Sequence, residues 1–163
     1  MADFKFNIEW DGLRELQNEF RTMNKRFKKI MLEEMNKVGN TCEGYARELA
    51  PRDSEELEDS IHSTMARLEG RSFVVYVGTN KEYATYVHEL NEQNYRYVGD
   101  KYERGVKYPR YYKLGRGERT REKPVIEGKR PGRKYLQNAV ILTDKHFEQA
   151  MERALERLLE GGS

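Results

Sequence analysis

A single cysteine, Cys42, leaves no partner for an intrachain disulfide and suits a reducing compartment. No apolar run approaches the roughly 20 residues needed to cross a bilayer. Met1-Ala2-Asp3-Phe4-Lys5 opens without a basic n-region and apolar stretch, so no signal peptide and no membrane partner are expected. Apolar residues are also scarce: 37% of the chain is hydrophobic against 36% charged, below the usual apolar share of globular domains. That supply supports one thin core, and it predicts a soluble, intracellular subunit whose surface is partly covered by other chains. The net charge of +2 exerts no gross pull toward nucleic acid or membranes.

Catalytic constellations are missing too. His62, His88 and His146 fall on different predicted elements, and His88-Glu89 lacks the second histidine four residues on that a helix-borne zinc site needs. Ser54, Ser60 and Ser63 sit in no glycine elbow. Gly115-Arg116-Gly117 neither follows a strand nor opens a helix, so it reads as a loop tip rather than a phosphate cradle. Glu55, Glu56, Glu58 and Asp59 read as a charged first turn or a solvated helix face. The expectation is no enzyme, with no catalytic residue, no cofactor and no metal.

What the sequence does contain is periodicity. From residue 13 to 49, Leu13, Leu16, Phe20, Met23, Phe27, Met31, Met35, Val38, Cys42, Tyr45 and Leu49 recur in steps of three and four, one side of an α-helix. Asp11 can cap it, Thr22 or Asn24 can break it, Gly39 and Gly44 weaken it, and Pro51 ends it. Residues 61–68 and 73–77 read as strands, and Glu69-Gly70-Arg71-Ser72 has hairpin chemistry. Residues 83–90 fit a short helix or a strand equally well. Leu136, Val140, Thr143, Phe147, Ala150, Ala154 and Leu158 stripe a closing helix that Gly161-Gly162 stops.

Residues 92–134 differ in kind. They hold fourteen Lys or Arg against six Asp or Glu, so this stretch is +8 and the remainder −6. Repeated glycine and proline exclude a long helix and predict a long basic loop, with room for an edge hairpin. Its candidate interface or DNA-facing residues are Tyr95, Tyr97, Tyr102, Arg104, Tyr108, Arg110, Tyr111, Tyr112, Arg116, Arg119, Arg121, Arg130 and Arg133. Tyrosine and arginine dominate protein–protein hot spots. Arginine on phosphates and tyrosine on unpaired bases would equally serve single-stranded nucleic acid. A solvated loop balancing the acidic remainder is the third reading.

Three patterns then combine. Ala46-Arg47-Glu48-Leu49-Ala50-Pro51, followed by Arg52-Asp53-Ser54-Glu55-Glu56-Leu57-Glu58-Asp59-Ser60-Ile61, resembles the "A-P-x-D-T-G-x-L-x-x-S-I" signature of minor structural proteins of long-tailed bacteriophages. Val75-Tyr76-Val77-Gly78-Thr79-Asn80, running into Tyr83-Ala84-Thr85-Tyr86-Val87-His88-Glu89-Leu90, is similar to that family's "V-G … Y-A-x-Y-V-E-x-G" block. Arg130-Pro131-Gly132-Arg133-Lys134-Tyr135-Leu136-Gln137-Asn138-Ala139-Val140 resembles its closing "x-R-P-F-L-x-P-A-L". Ser54-Glu55 stand where the signature has threonine–glycine, so its left-handed glycine turn is expected to be absent.

The resemblance implies a neck, head–tail joining or tail-completion protein of the virion, made in the host bacterial cytoplasm. Its implied partners are copies of itself in a ring, typically hexameric, head connector or adaptor proteins, tail tube proteins and DNA in the channel. The fold expected is α+β in one domain over residues 1–163: a helical segment (1–51), a hairpin and core strands (52–91), the basic insert (92–134) and a C-terminal helix (135–160). Both helices are expected to lay their stripes on one face of a small, mainly antiparallel sheet between residues 61 and 114. Phe73, Val75 and Val77 are expected on one side of their strand, Val74 and Tyr76 on the other.

Overall fold

The computed structural model describes residues 4–7, 25–52, 55–89, 101–108 and 117–160. Leu13, Leu16, Phe20 and Met23 of the predicted first stripe, and Gly161-Gly162, lie outside them. The fold is α+β, and two long helices dominate it. Helix α1 spans Lys25–Leu49 and helix α5 Tyr135–Glu160. Helix α1 buries Phe27, Met31, Met35, Val38, Cys42 and Leu49 of the predicted stripe together with Ile30 and Ala46, while the predicted Tyr45 is half-buried. It stops where Pro51 requires, with a last turn closed by the Ala50 N–H on the Ala46 carbonyl at 2.9 Å. Helix α5 buries Leu136, Ala139, Leu142, Thr143, Phe147, Ala150 and Ala154. Full burial of each large aliphatic side chain is worth about 1.5–3 kcal/mol.

The two helices run antiparallel along their length. Tyr45 on α1 meets His146 on α5, hydroxyl to Nε2 at 2.9 Å. Three turns earlier on α1, Glu34 is fully buried in the seam. Its carboxylate accepts from Lys37 at 2.6 Å and from Arg153 and Arg157 of α5 at 3.0 Å each. Burial works to raise the Glu34 pKa, but the hydrogen bonds from Lys37 and Arg153 outweigh it and hold it below its ordinary 4.5. A buried carboxylate bracketed by cations from both helices fixes one register between them.

Between the helices the chain makes short elements. After helix α2 (Glu56–Ser60) come strands β2 (His62–Ser63), β3 (Arg67–Glu69), β4 (Ser72–Val74) and β5 (Tyr76–Thr79), then helix α3 (Tyr83–Glu89). An N-terminal strand, β1 (Phe4–Asn7), pairs antiparallel with β5, giving a sheet of order β1-β5-β2. The sequence reading did not anticipate β1. Strands β3 and β4 form their own hairpin, and Gly70 (φ +59°) opens a two-residue turn of the kind that demands a positive φ at that place. The predicted hairpin is therefore present, but residues 61–68 break into two strands that belong to different sheets. Residues 83–89 settle as helix.

Phe73, Val75 and Val77 share core clusters with both long helices. The predicted 73–77 strand divides at Val75 between β4 and β5, and Val74, expected on the opposite side, is also buried, at 2% exposure. Gly39 permits the close approach of α1 to the junction of β4 and β5: a Cβ there would stand 2.5 Å from Cγ2 of Val75. Gly44 has open space around it instead, with nothing within 4 Å. The two helix glycines, alike in sequence, therefore differ in purpose. No described helix is long and apolar enough to cross a membrane.

Two outcomes follow from this packing. In urea unfolding, Gly39→Ala should cost about 1–3 kcal/mol through overpacking against Val75, whereas Gly44→Ala should add up to about 1 kcal/mol of helix propensity. Glu34 has a depressed folded pKa, so its contribution is complete above 4.5 and is lost as pH falls through the lower folded value. Glu34→Gln should cost about 1–3 kcal/mol at neutral pH and flatten the acid limb of the stability–pH curve.

Candidate interaction surface at the root of the basic insert

The C-terminal end of α1 leaves carbonyls without helical partners. A lysine from the basic insert takes them. Nζ of Lys123 donates to the carbonyls of Arg47 and Ala50, both at 2.8 Å, and lies 3.2 Å from Oε1 of Glu58. Lys123 is buried, which pushes its pKa down while Glu58 pulls it back. Glu58 also accepts from Nε and from an Nη of Arg52, both at 2.7 Å. Burial raises the Glu58 pKa, but Arg52 and Lys123 together hold it below its ordinary range. Beside this network Thr120 is fully buried: its hydroxyl accepts from the Arg52 N–H at 2.9 Å and donates to the Arg52 carbonyl at 3.1 Å.

The segment 117–134, which holds the short helix α4 (Glu118–Arg121), is thus a strap across the end of α1. Further bonds fasten it. The Gly132 N–H donates to the Leu49 carbonyl at 2.8 Å, and the Lys134 N–H to the His88 carbonyl at 3.0 Å. Arg119 pairs with Glu55 at 2.6 Å, Lys134 pairs with Glu89, and Glu127 pairs with Lys145. Glu55 (φ 68°), Glu127 (φ 46°) and Lys134 (φ 57°) are all left-handed, a backbone choice that costs a non-glycine residue on the order of 1 kcal/mol. The signature's left-handed turn is therefore kept by Glu55 after all, contrary to the sequence expectation. Exposed ion pairs contribute only about 0.2–1 kcal/mol each, so the buried Lys123 is the main fastening.

This corrects the picture of residues 92–134 as one long loop for its final part, which is built into the body. The predicted hairpin exists as β6 (Lys101–Glu103) and β7 (Val106–Tyr108), in a two-stranded sheet of its own rather than on the edge of the three-stranded one. Arg104 (φ 49°) and Gly105 (φ 80°) make its turn, and Arg104 is exposed. Tyr102 is in register with Lys107, and Tyr108 with Lys101. Arg121, Arg130 and Arg133 are exposed on the strap, while Arg119 is engaged with Glu55. Tyr95, Tyr97, Arg110, Tyr111, Tyr112 and Arg116 lie outside the described residues.

The sequence reading missed Lys123 and Thr120. Nothing local distinguishes a buried lysine from its neighbours in a basic run. Among the described residues no group of His, Cys, Asp or Glu is arranged to hold a metal. Cys42 is buried as expected, and burial pushes its thiol up to about 11. Lys123→Met should expose the strap to limited proteolysis before the helices unfold, and should lower stability by about 1–3 kcal/mol through the orphaned carbonyls. Lys123→Arg, which keeps the charge, should lose less.

Residues 14–89 match a protein-family model described as "Bacteriophage HK97-gp10, putative tail-component". The match spans the Ala-Pro signature and all but the last residue of the second block, and stops short of the strap. No curated protein and no solved structure matches. Over residues 14–89 the chain is similar to this phage tail-component family, in agreement with the resemblance carried by its first two motifs.

Proposed function

We propose that the chain is a structural, non-enzymatic subunit of the phage neck, forming a homo-oligomeric ring, a hexamer by family resemblance, that completes the tail and joins it to the head connector. The observation that carries this reading is the way the basic insert is mounted. Its final part, residues 117–134, is fastened to the body, by Lys134 on Glu89 and by Lys123 on Glu58. Its hairpin β6–β7 is a separate sheet, and the insert carries +8 against −6 on the rest of the chain.

A mounted ribbon of one charge, on a body of the other, suits a contact between subunits or between rings. The nominated residues, Tyr95, Tyr97, Tyr102, Arg104, Tyr108, Arg110, Tyr111, Tyr112, Arg116, Arg121, Arg130 and Arg133, belong to that contact. Arg119 serves its own body. Tail tube proteins and the head connector are the neighbours above and below the ring, and DNA in the channel is a secondary neighbour.

Native mass spectrometry and negative-stain images of the chain should show a closed ring. Arg104→Glu with Arg130→Glu should abolish it while leaving the fold intact, because both side chains are exposed. Rings unaffected by these changes contradict the role given to the insert. Absence of any ring, with DNA binding that weakens steeply with salt, would favour a nucleic-acid-binding accessory protein instead.

A further inference from the structure

Two exposed surfaces lie away from the insert. The first is the outer face of the strand layer. Tyr76, the first residue of β5, is half-buried between the buried Val75 and Val77. There the Arg67 guanidinium sits 5.1 Å over the Tyr76 ring, and Nε of Arg67 donates to Glu69 at 2.5 Å. The Tyr76 hydroxyl donates to the same carboxylate at 2.8 Å. These three side chains already bind one another before anything docks, which lowers the entropy cost of association. Beside it Met65 is 75% exposed, and Arg71 is exposed at the hairpin turn.

The second surface is the solvent side of α5, opposite its buried stripe. Ile141 is 50% exposed there, and Glu148 and Glu152 follow at helical spacing, both exposed. Like charges four residues apart cost a helix about 0.2–0.5 kcal/mol, with no compensating cation for either carboxylate among the described hydrogen bonds and ion pairs. One surface belongs to the strand layer and the other to the helix layer. A single copy cannot bring its own two together.

We propose that the outer sheet face around Met65 and Tyr76 of one copy docks on the outer face of α5 around Ile141 of the next. Met65 packs on Ile141, and Arg71 meets Glu148 and Glu152. The occupant is a second copy because the two faces match in kind: each has one exposed apolar anchor, with a cation on one and carboxylates on the other. The contact is heterologous, and repetition of such a contact closes a ring when the rotation permits. It rests on the ring reading above and names surfaces for it that are distinct from the insert.

Met65→Cys and Ile141→Cys chains test it directly, since Cys42 is buried and stays out of the reaction. Under mild oxidation an equimolar mixture should form a disulfide-linked dimer at least about tenfold faster than either variant alone, from the high effective concentration of docked thiols. The doubly substituted chain should give a ladder that ends at the ring's size. A mixture no faster than the single variants overturns this contact, even if native mass still shows rings. Coupling to another virion protein in place of a second copy also overturns it. Rapid coupling of the mixture, with a double variant that never closes a ring, supports the contact and contradicts the ring reading.

Discussion

The antiparallel seam between α1 and α5 is the constraint on which the rest of the structure depends. Apolar stripes alone would let two long helices slide by a turn at modest cost, since one leucine or methionine substitutes for another. Glu34 removes that freedom. It is fully buried and already meets Lys37 of its own helix, and only one register brings Arg153 and Arg157 of α5 to its two oxygens. Breaking such a cluster costs more than forming it gains, because the desolvated carboxylate would be left without its cations. With the seam fixed, the C-terminal end of α1 meets the beginning of α5, and the strap must pass between them.

The strap gives the chain's charge imbalance a structural meaning. Arg119, Lys123 and Lys134 of the insert are neutralised by Glu55, Glu58 and Glu89 of the body. The root of the insert is thus balanced within the subunit, which realises part of the reading that its charge matches the acidic remainder. The family-matched region and the strap meet at several places, among them Glu55, Glu58 and Glu89. The region that the family model matches therefore also anchors the strap, which the match does not reach.

Much of the helical frame was legible because helix periodicity is local. The stripes ending at Leu49 and beginning at Leu136 needed no long-range information. The turn at Gly70 was legible for the same reason. Strand β1 was not, because four alternating residues become a strand only when β5 is beside them. Residues 61–68 were read as one strand because their alternation does not reveal which neighbour each half finds. Gly39 and Gly44 look identical in sequence, and only Val75 separates them. Lys123 was illegible for a different reason: a buried cation needs carbonyls from a helix over seventy residues away. Glu55 shows the reverse case, in which a motif's geometry survives although its glycine does not.

Hydrogen exchange on the free chain and on assembled particles tests most directly whether the insert is rooted at home and engaged only in the virion. Amides of residues 120–134 should be protected in both states, because Lys123 and Thr120 fasten them to the subunit. Amides of the β6–β7 hairpin should gain protection only on assembly. A free chain in which the strap exchanges freely, or particles in which the hairpin gains nothing, would contradict the account.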